Sequence, residues 1–393
     1  MSDKLFESRN WSAAKEALVE GLNGNRKVVM ESVLENTKRH MLSESVSTTT
    51  TAGNVAVLNK VILPVIRRVM PTVIANEIMG VQPMTGPVGQ IHTMRVRYAE
   101  TAAGITAGNE ALGPFDIAKA YSGNLSSGSP AGAATSTLEG DGGKKLSIQI
   151  LKQTVEAKSR KLNARWTFEA AQDAQAMHGL DVEAEIMAAL AQEITAEIDQ
   201  ELINSLTNLA GTSNTFDMTP STGTTFTGTP NYVGDRHAVL AIMINQAANQ
   251  IAQRTRRGAG NWIVVSPTAL TVLQSATTSA FARTTEGTFE APTNTKFVGT
   301  LNNSVRVYVN SYASDTSPVL IGYKGPNEMD AAAFYCPYIP LMSSGVVLDP
   351  NTFEPTVSFM TRYGYVELTN TASSFGNSAD YLNKVAVNGL IFA

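Results

Sequence analysis

The sequence predicts an α+β fold, and three observations carry that prediction. Two strongly alternating strand segments flank a long Gly/Ala/Ser-rich stretch, one unusually long helical run spaces its apolar residues by four, and a later region interleaves helix and strand signals. The 393 residues are 43% hydrophobic, 16% charged and 7% aromatic. That is enough to bury a sizeable core, and the length predicts more than one lobe.

The first 44 residues are polar. Ser12 is a candidate cap for a short helix with Glu16 in its first turn, and Asn25 for a second helix through Met41. In the second helix Val29, Met30, Val33 and Leu34 make a narrow apolar stripe, which predicts a weak helical partner more than a core element. Ser43 to Asn54 is a Ser/Thr run with little to bury and reads as a linker. From 55 to 81 the pattern predicts two short helices broken at Pro64 and Pro71.

From Gln90 to Ala99 the chain alternates, with Met94, Val96 and Tyr98 on one face and Arg95 and Arg97 on the other. A second alternating segment begins at Lys145, with Leu146, Ile148 and Ile150 on one face. Together they predict the two arms of a long hairpin, and an isolated hairpin is poorly stabilised in water. The strongest helical signal follows, from about Arg165 to Leu209, with Val182, Ile186, Leu190, Ile194, Ile198, Leu202 and Leu206 spaced by four. The part after Gly179 alone would run on the order of 45 Å, the length of a spine. Glu193, Glu197 and Glu201 stack on its polar side, a like-charge row that predicts either a solvated acidic face or a basic group facing it.

Residues 211 to 234 read as a Thr/Gly/Asn/Pro loop. A helix is predicted from Asp235 to about Gln253, a buried strand over Trp262 to Val265, and a helix opening at Ser266-Pro267. Strands are predicted over Val305 to Val309, Val319 to Tyr323 and Ala331 to Tyr335, and again around Thr356 to Leu368 and Val385 to Phe392.

Composition excludes several function classes. A net charge of −4 gives no global attraction to nucleic acid or to an anionic membrane. One cysteine, Cys336, rules out a disulfide framework and a cysteine-based zinc cluster. The opening MSDKLFESRNWS lacks the apolar core of a signal peptide, and charges and prolines interrupt the most apolar window, Val55 to Val81, so no membrane association is expected. His40, His92, His178 and His237 fall in separate segments without metal-ligand spacing. No nucleophile elbow or phosphate loop is present, and Gly140 to Lys145 reads as a hairpin turn. Neither an enzyme nor a cofactor or metal protein is expected. Two basic clusters remain, Lys158/Arg160/Lys161/Arg165 and Arg254/Arg256/Arg257, without the interleaved aromatics of single-strand binders. They are candidates for contacts between subunits. Lys158, Arg160, Arg256 and Arg257 are the basic members, and Glu193 and Glu197 the acids they would meet on another copy.

Several ordered stretches resemble the major capsid proteins of T-even-like tailed bacteriophages: GVQPMTGPVGQ from Gly80, KQTVEAKSR from Lys152, AQDAQAMHGLDVEAE from Ala171, RGAGNWIVVSP from Arg257 and DPNTFEPTVSFMTRYG from Asp349. The resemblance implies the Hong Kong 97-type phage capsid fold. Its parts would be an N-terminal arm over 1–54, the start of a peripheral domain over 55–89, an extended hairpin loop over 90–151, the peripheral domain with its spine helix over 152–234, an axial domain over 235–345, and a C-terminal return to the peripheral domain over 346–393. It further implies self-assembly, mainly as hexamers, into an icosahedral head around double-stranded DNA. Assembly would take place in the host bacterial cytoplasm with vertex, portal, scaffolding and prohead-protease proteins. Prohead proteases of this family cut after Glu in a Leu/Ile-x-Glu context, which makes Leu42 and Glu44 a candidate site; Leu18-Val19-Glu20 and Leu5-Phe6-Glu7 also fit. The segment between the hairpin arms is short for the inserted domain of T-even relatives. Alternatives are a pentameric vertex paralogue, a nanocompartment shell of the same fold, or a flagellin-like filament, against which the strand-like C-terminus argues.

Overall fold

The computed structural model describes residues 15–16, 19, 22, 24–45, 73–109, 111, 120–126, 129–139, 143–178, 181–217, 233–275, 281–283, 296–302, 304–349, 352, 354–368 and 377–388. Helices and strands are interspersed along the chain. The order begins α1 (Asn25–Ser45), α2 (Ala75–Ile78), β1 (Gly80–Val81), β2 (Val88–Tyr98), β3 (Asn124–Ser126), β4 (Ser129–Ala131), α3 (Thr135–Leu138), β5 (Leu146–Glu156) and β6 (Lys158–Arg165). It continues α4 (Phe168–His178), α5 (Val182–Leu209), β7 (Gly211–Asp217), α6 (Val233–Thr255), β8 (Trp262–Val265), α7 (Pro267–Ser275), β9 (Phe281–Arg283), β10 (Lys296–Leu301) and β11 (Val305–Val309). The last elements are β12 (Val319–Gly322), β13 (Ala333–Ser343), β14 (Val347–Leu348), β15 (Pro355–Glu367) and β16 (Leu382–Asn388). The predicted helix breaks at Pro64 and Pro71 lie outside the described residues.

The chain divides into two compact units. The first comprises residues 1–89, 155–202 and 334–366. Its sheet runs β1-β13-β15-β14, with β6 also paired to β15. β6 is antiparallel to β15 from Lys158 opposite Tyr363 to Arg165 opposite Thr356. β15 alternates along its first nine residues, burying Val357, Phe359, Thr361 and Tyr363, as a strand with one core-facing side must. The spine, α5, opens where Asp181 Oδ1 accepts from the backbone N–H of Glu183 at 3.1 Å, an N-cap for an exposed helix end. Leu190, Ile194, Ile198 and Leu202 are buried, so the spacing of four reports the face that packs. Asp199 lies on the buried side too, and its Oδ1 accepts from the Ile74 N–H at 2.9 Å. Buried Val29, Met30, Val33 and Leu34 make α1 a packed element and not the weak partner its narrow stripe predicts. The Asn36 amide fastens it, donating to the carbonyls of Met84 at 2.7 Å and Tyr338 at 3.3 Å.

The second unit comprises residues 90–154, 203–333 and 367–393. Its seven-stranded sheet runs β7-β16-β12-β8-β11-β10-β9. All four residues of β8, Trp262 to Val265, are buried, as their continuous apolar run predicts for a central strand. α6 buries Leu240, Met243, Ile244, Ala247 and Ile251, and α7 starts with Ser266 Oγ accepting from the Ala269 N–H at 3.2 Å. A Cβ on Gly322 would run into the Trp262 indole, so the indole occupies the space the glycine leaves.

Three expectations are corrected. The predicted helix from Arg165 to Leu209 is a strand ending at Arg165 followed by two helices, α4 and α5. The predicted loop from 211 begins as β7, parallel to β16 with Phe216 buried; its partner strand lies some 170 residues away in sequence, so no local signal marks it. The C-terminal strands do not return together: β15 joins the first unit's sheet, whereas β16 lies between β7 and β12 in the second.

Candidate assembly interface

Among the described residues, β2 and β5 pair only with each other. The Ala99 N–H donates to the Lys145 carbonyl at 3.0 Å near one end, and the Ala157 N–H to the Pro87 carbonyl at 2.9 Å beyond the other. Both bonds belong to one register, which sets Met94 opposite Ile150 and Val96 opposite Ile148. Toward the tip a small cluster holds the arms together. Tyr98, Ile105 and Ala111 are buried with Val96 and Tyr121 against them. The Tyr98 and Tyr121 rings lie 4.5 Å apart, and the Tyr121 hydroxyl donates to the Lys145 carbonyl at 2.7 Å. Beyond this cluster the apolar face is bare: Met94 is 71% exposed, Ile148 68%, Ile150 70% and Leu146 54%. Cross-strand apolar pairs stabilise a sheet when something covers them, and a contiguous exposed row of this kind marks an interaction surface.

The polar side of the spine meets β6. Strand alternation points Arg160 at the helix, where its guanidinium donates to Glu197 Oε2 at 2.6 Å and Glu201 Oε2 at 2.5 Å. Arg160 Nε also donates to the Tyr363 hydroxyl at 2.6 Å, and that hydroxyl donates to Glu201. Partial burial pushes the Arg160 pKa down, but the bonds to Glu201 and Tyr363 outweigh it and hold the guanidinium above its ordinary value. Partial burial likewise pushes the Glu201 carboxyl up, and Arg160 and Tyr363 bring it below the usual range. Burial, then the bond to Glu201, raises the Tyr363 phenol. The basic group facing the acidic row is therefore Arg160 of the same chain. Lys158 is on this side too, close enough to favour the ionised form of Glu201.

The other predicted site residues are placed as follows. Glu193 is exposed one turn before Glu197. Arg257 forms a 2.5 Å ion pair with Asp330 within the second unit, and Arg256 holds a left-handed backbone at φ 53°. Leu42 and Glu44 occupy the last turn of α1, with side chains outside the described ones. His237 is buried with Nδ1 2.7 Å from Ser275 Oγ, and burial lowers its pKa. Burial pushes the Cys336 thiol up to about 12, leaving it unreactive. Glu201 is visible in the sequence only as a member of the acidic row, and Tyr363 carries no local signal for its role.

The family model of the major capsid protein Gp23 matches residues 55–143 and 128–387. The chain belongs to that family. Among relatives, the major capsid protein of Vibrio phage KVP40 is 30% identical, over 86% of this chain and 84% of its own length. That of Enterobacteria phage T4 is 30% identical, over 80% of this chain and 76% of its own. Among solved structures, the capsid of Myoviridae phage XM1 aligns at a TM-score of 0.42 and 11% identity, covering 79% of this chain and 89% of that one. The KVP40 alignment spans 439 residues, more than the 393 of this Gp23-family chain, so the relative carries residues that this one lacks. The two stretches of the family match meet at 128–143, between the hairpin arms.

Proposed function

We propose that this Gp23-family chain is the hexamer-forming subunit of a tailed-phage head, a structural protein without catalytic activity, and that hexamers close into an icosahedral shell around double-stranded DNA. The observation that carries the reading is the bare apolar row on the β2–β5 hairpin, which nothing among the described residues covers. A second copy supplies that cover, so each hairpin laps onto a neighbour and interface area accumulates around the ring. In the Hong Kong 97-type reading, the unit holding most of the spine is the peripheral domain, the seven-stranded unit the axial domain, and the hairpin the extended loop. Family membership and the element order support that assignment.

Lys158, Arg160, Glu193, Glu197, Arg256 and Arg257 remain the candidate charged contacts between copies. Arg160 and Arg257 have less to offer because their guanidiniums already hold Glu197, Glu201 and Asp330. Processing after Glu44 would remove α1 from the mature subunit, and an intact mass matching Ser45 onward would establish it. The shortness of the segment between the hairpin arms, too short for the inserted domain of T-even relatives, argues against decoration contacts made through such a domain. Vertex, portal, scaffolding and prohead-protease proteins complete the assembly, which takes place in the host cytoplasm. A photo-crosslinking residue at position 150 tests the reading: assembled particles should yield products joining two copies, and exclusively intrachain products would contradict it.

A further inference from the structure

The cluster Lys158/Arg160/Lys161/Arg165 is one basic run in the sequence, but strand alternation divides it. Lys158 and Arg160 face the spine acids, so Ser159, Lys161, Asn163 and Arg165 lie on the opposite face of β6. The register with β15 places Arg362 opposite Ser159 and Ser358 opposite Asn163, and paired residues share a face. Lys161 is exposed and has no partner among the described residues. Arg165 is 69% exposed with one long ion pair, 3.7 Å to Glu354, and Arg362 rests 5.4 Å from the centre of the Tyr338 ring. Among the described residues Glu354 is the only carboxylate paired with this face, in a chain whose net charge is −4. Glu197 and Glu201 of the spine are engaged by Arg160 on the other side.

We propose that this outward face of β6 and β15 is where the subunit touches the phosphate backbone of packaged double-stranded DNA. The proposal rests on the reading of the chain as a DNA-enclosing shell subunit and names the surface that would meet the duplex. Lys161 and Arg165 are four residues apart, about 13 Å along an extended strand, a spacing that reaches separate phosphates of one duplex. The hydroxyl and amide groups of Ser159, Asn163 and Ser358 add neutral donors between the cations, and nothing on the face reads base edges, so binding is independent of sequence. One copy binds weakly; many copies lining a closed shell hold the duplex by repetition.

The test uses the full chain as unassembled subunits or hexamers and a mixed-sequence DNA duplex of about 30 base pairs, with binding followed by fluorescence anisotropy across a salt series. Three phosphate contacts at about 0.9 each give a log–log slope near −2.7, so wild-type affinity drops about 40-fold between 50 and 200 mM salt from these contacts alone. The triple variant Lys161→Gln, Arg165→Gln, Arg362→Gln should flatten the slope by two to three, and Lys161→Gln alone, at an exposed position that cannot disturb the fold, by about one. An unchanged slope in both overturns the proposal. So does a triple variant that binds DNA as wild type does but no longer assembles, since the face would then be a contact between copies. If wild-type chain never assembles while the variants still lose their salt-dependent binding, the shell reading fails and the assignment of this face stands.

Discussion

If the hairpin row is the proposed contact between copies, replacing Ile148 and Ile150 with serine should weaken assembly and leave the subunit fold intact. The two side chains are 68% and 70% exposed on the isolated chain, so about two-thirds of their burial remains to be gained on contact with a neighbour. Full burial of an isoleucine contributes about 1.5–3 kcal/mol, which leaves about 1–2 kcal/mol per residue and about 2–4 kcal/mol per hairpin for the pair. At 1.4 kcal/mol per tenfold, association should weaken roughly 30- to 1,000-fold for each hairpin contact. The folded subunit should hardly notice, because substitutions at exposed positions usually shift stability by less than about 0.5 kcal/mol. Sedimentation velocity over a concentration series measures the effect as a rise in the concentration needed for hexamers or larger particles, with thermal melting of the unassembled chain as control. A double variant that assembles at the wild-type concentration would refute the reasoning, as would one whose subunit melts well below wild type.

Other regions make separate predictions. Asp199 ionises at about 7 in the folded chain, pushed up by burial against the lowering effect of the Ile74 N–H, from an ordinary 3.8. Between those values the folded state keeps a proton that the unfolded state has lost, so stability falls as pH rises from about 4 to 7, by up to about 4 kcal/mol. Asp199→Asn keeps the acceptor for Ile74 and should flatten that dependence in pH-resolved melting; an unchanged profile would refute the assignment. Arg160→Met should destabilise the subunit by about 1 kcal/mol in urea unfolding, a value reduced for solvent screening because the group and its carboxylate partners are 31–44% exposed. Arg160→Lys should recover only part of it, since an ammonium cannot span Glu197, Glu201 and Tyr363; full recovery would mean that the fork geometry does not matter. Gly322→Ala should cost about 1–3 kcal/mol by forcing the Trp262 indole aside, and a neutral result would show that the indole has room to move.

Local periodicity made the hairpin arms and the spine legible in the sequence, because both bury or bare a single face over many residues. β6 was not legible: its eight residues, KSRKLNAR, alternate in the direction of their charges and scarcely in hydrophobicity. Only pairing with β15, some two hundred residues later, shows which way each points. The acidic row on the spine was readable at i, i+4, whereas its partner Arg160 was hidden inside a basic run whose two halves face opposite ways. β7 and β16 likewise depend on each other across a long sequence separation, which is why β7 read as a loop and β16 as a neighbour of β15. The bare row on the hairpin is a fact of the fold alone: alternation predicts an apolar face, but only the three-dimensional arrangement shows that the described residues leave it uncovered.

The most direct test of the central claim is electron microscopy of the purified chain beside the Ile148→Ser, Ile150→Ser variant at matched concentration. The wild type should form hexamers, tubes or closed shells, and the variant should stay as dispersed subunits. A wild-type chain that stays monomeric under all assembly conditions, or a variant that forms the same particles, would contradict it.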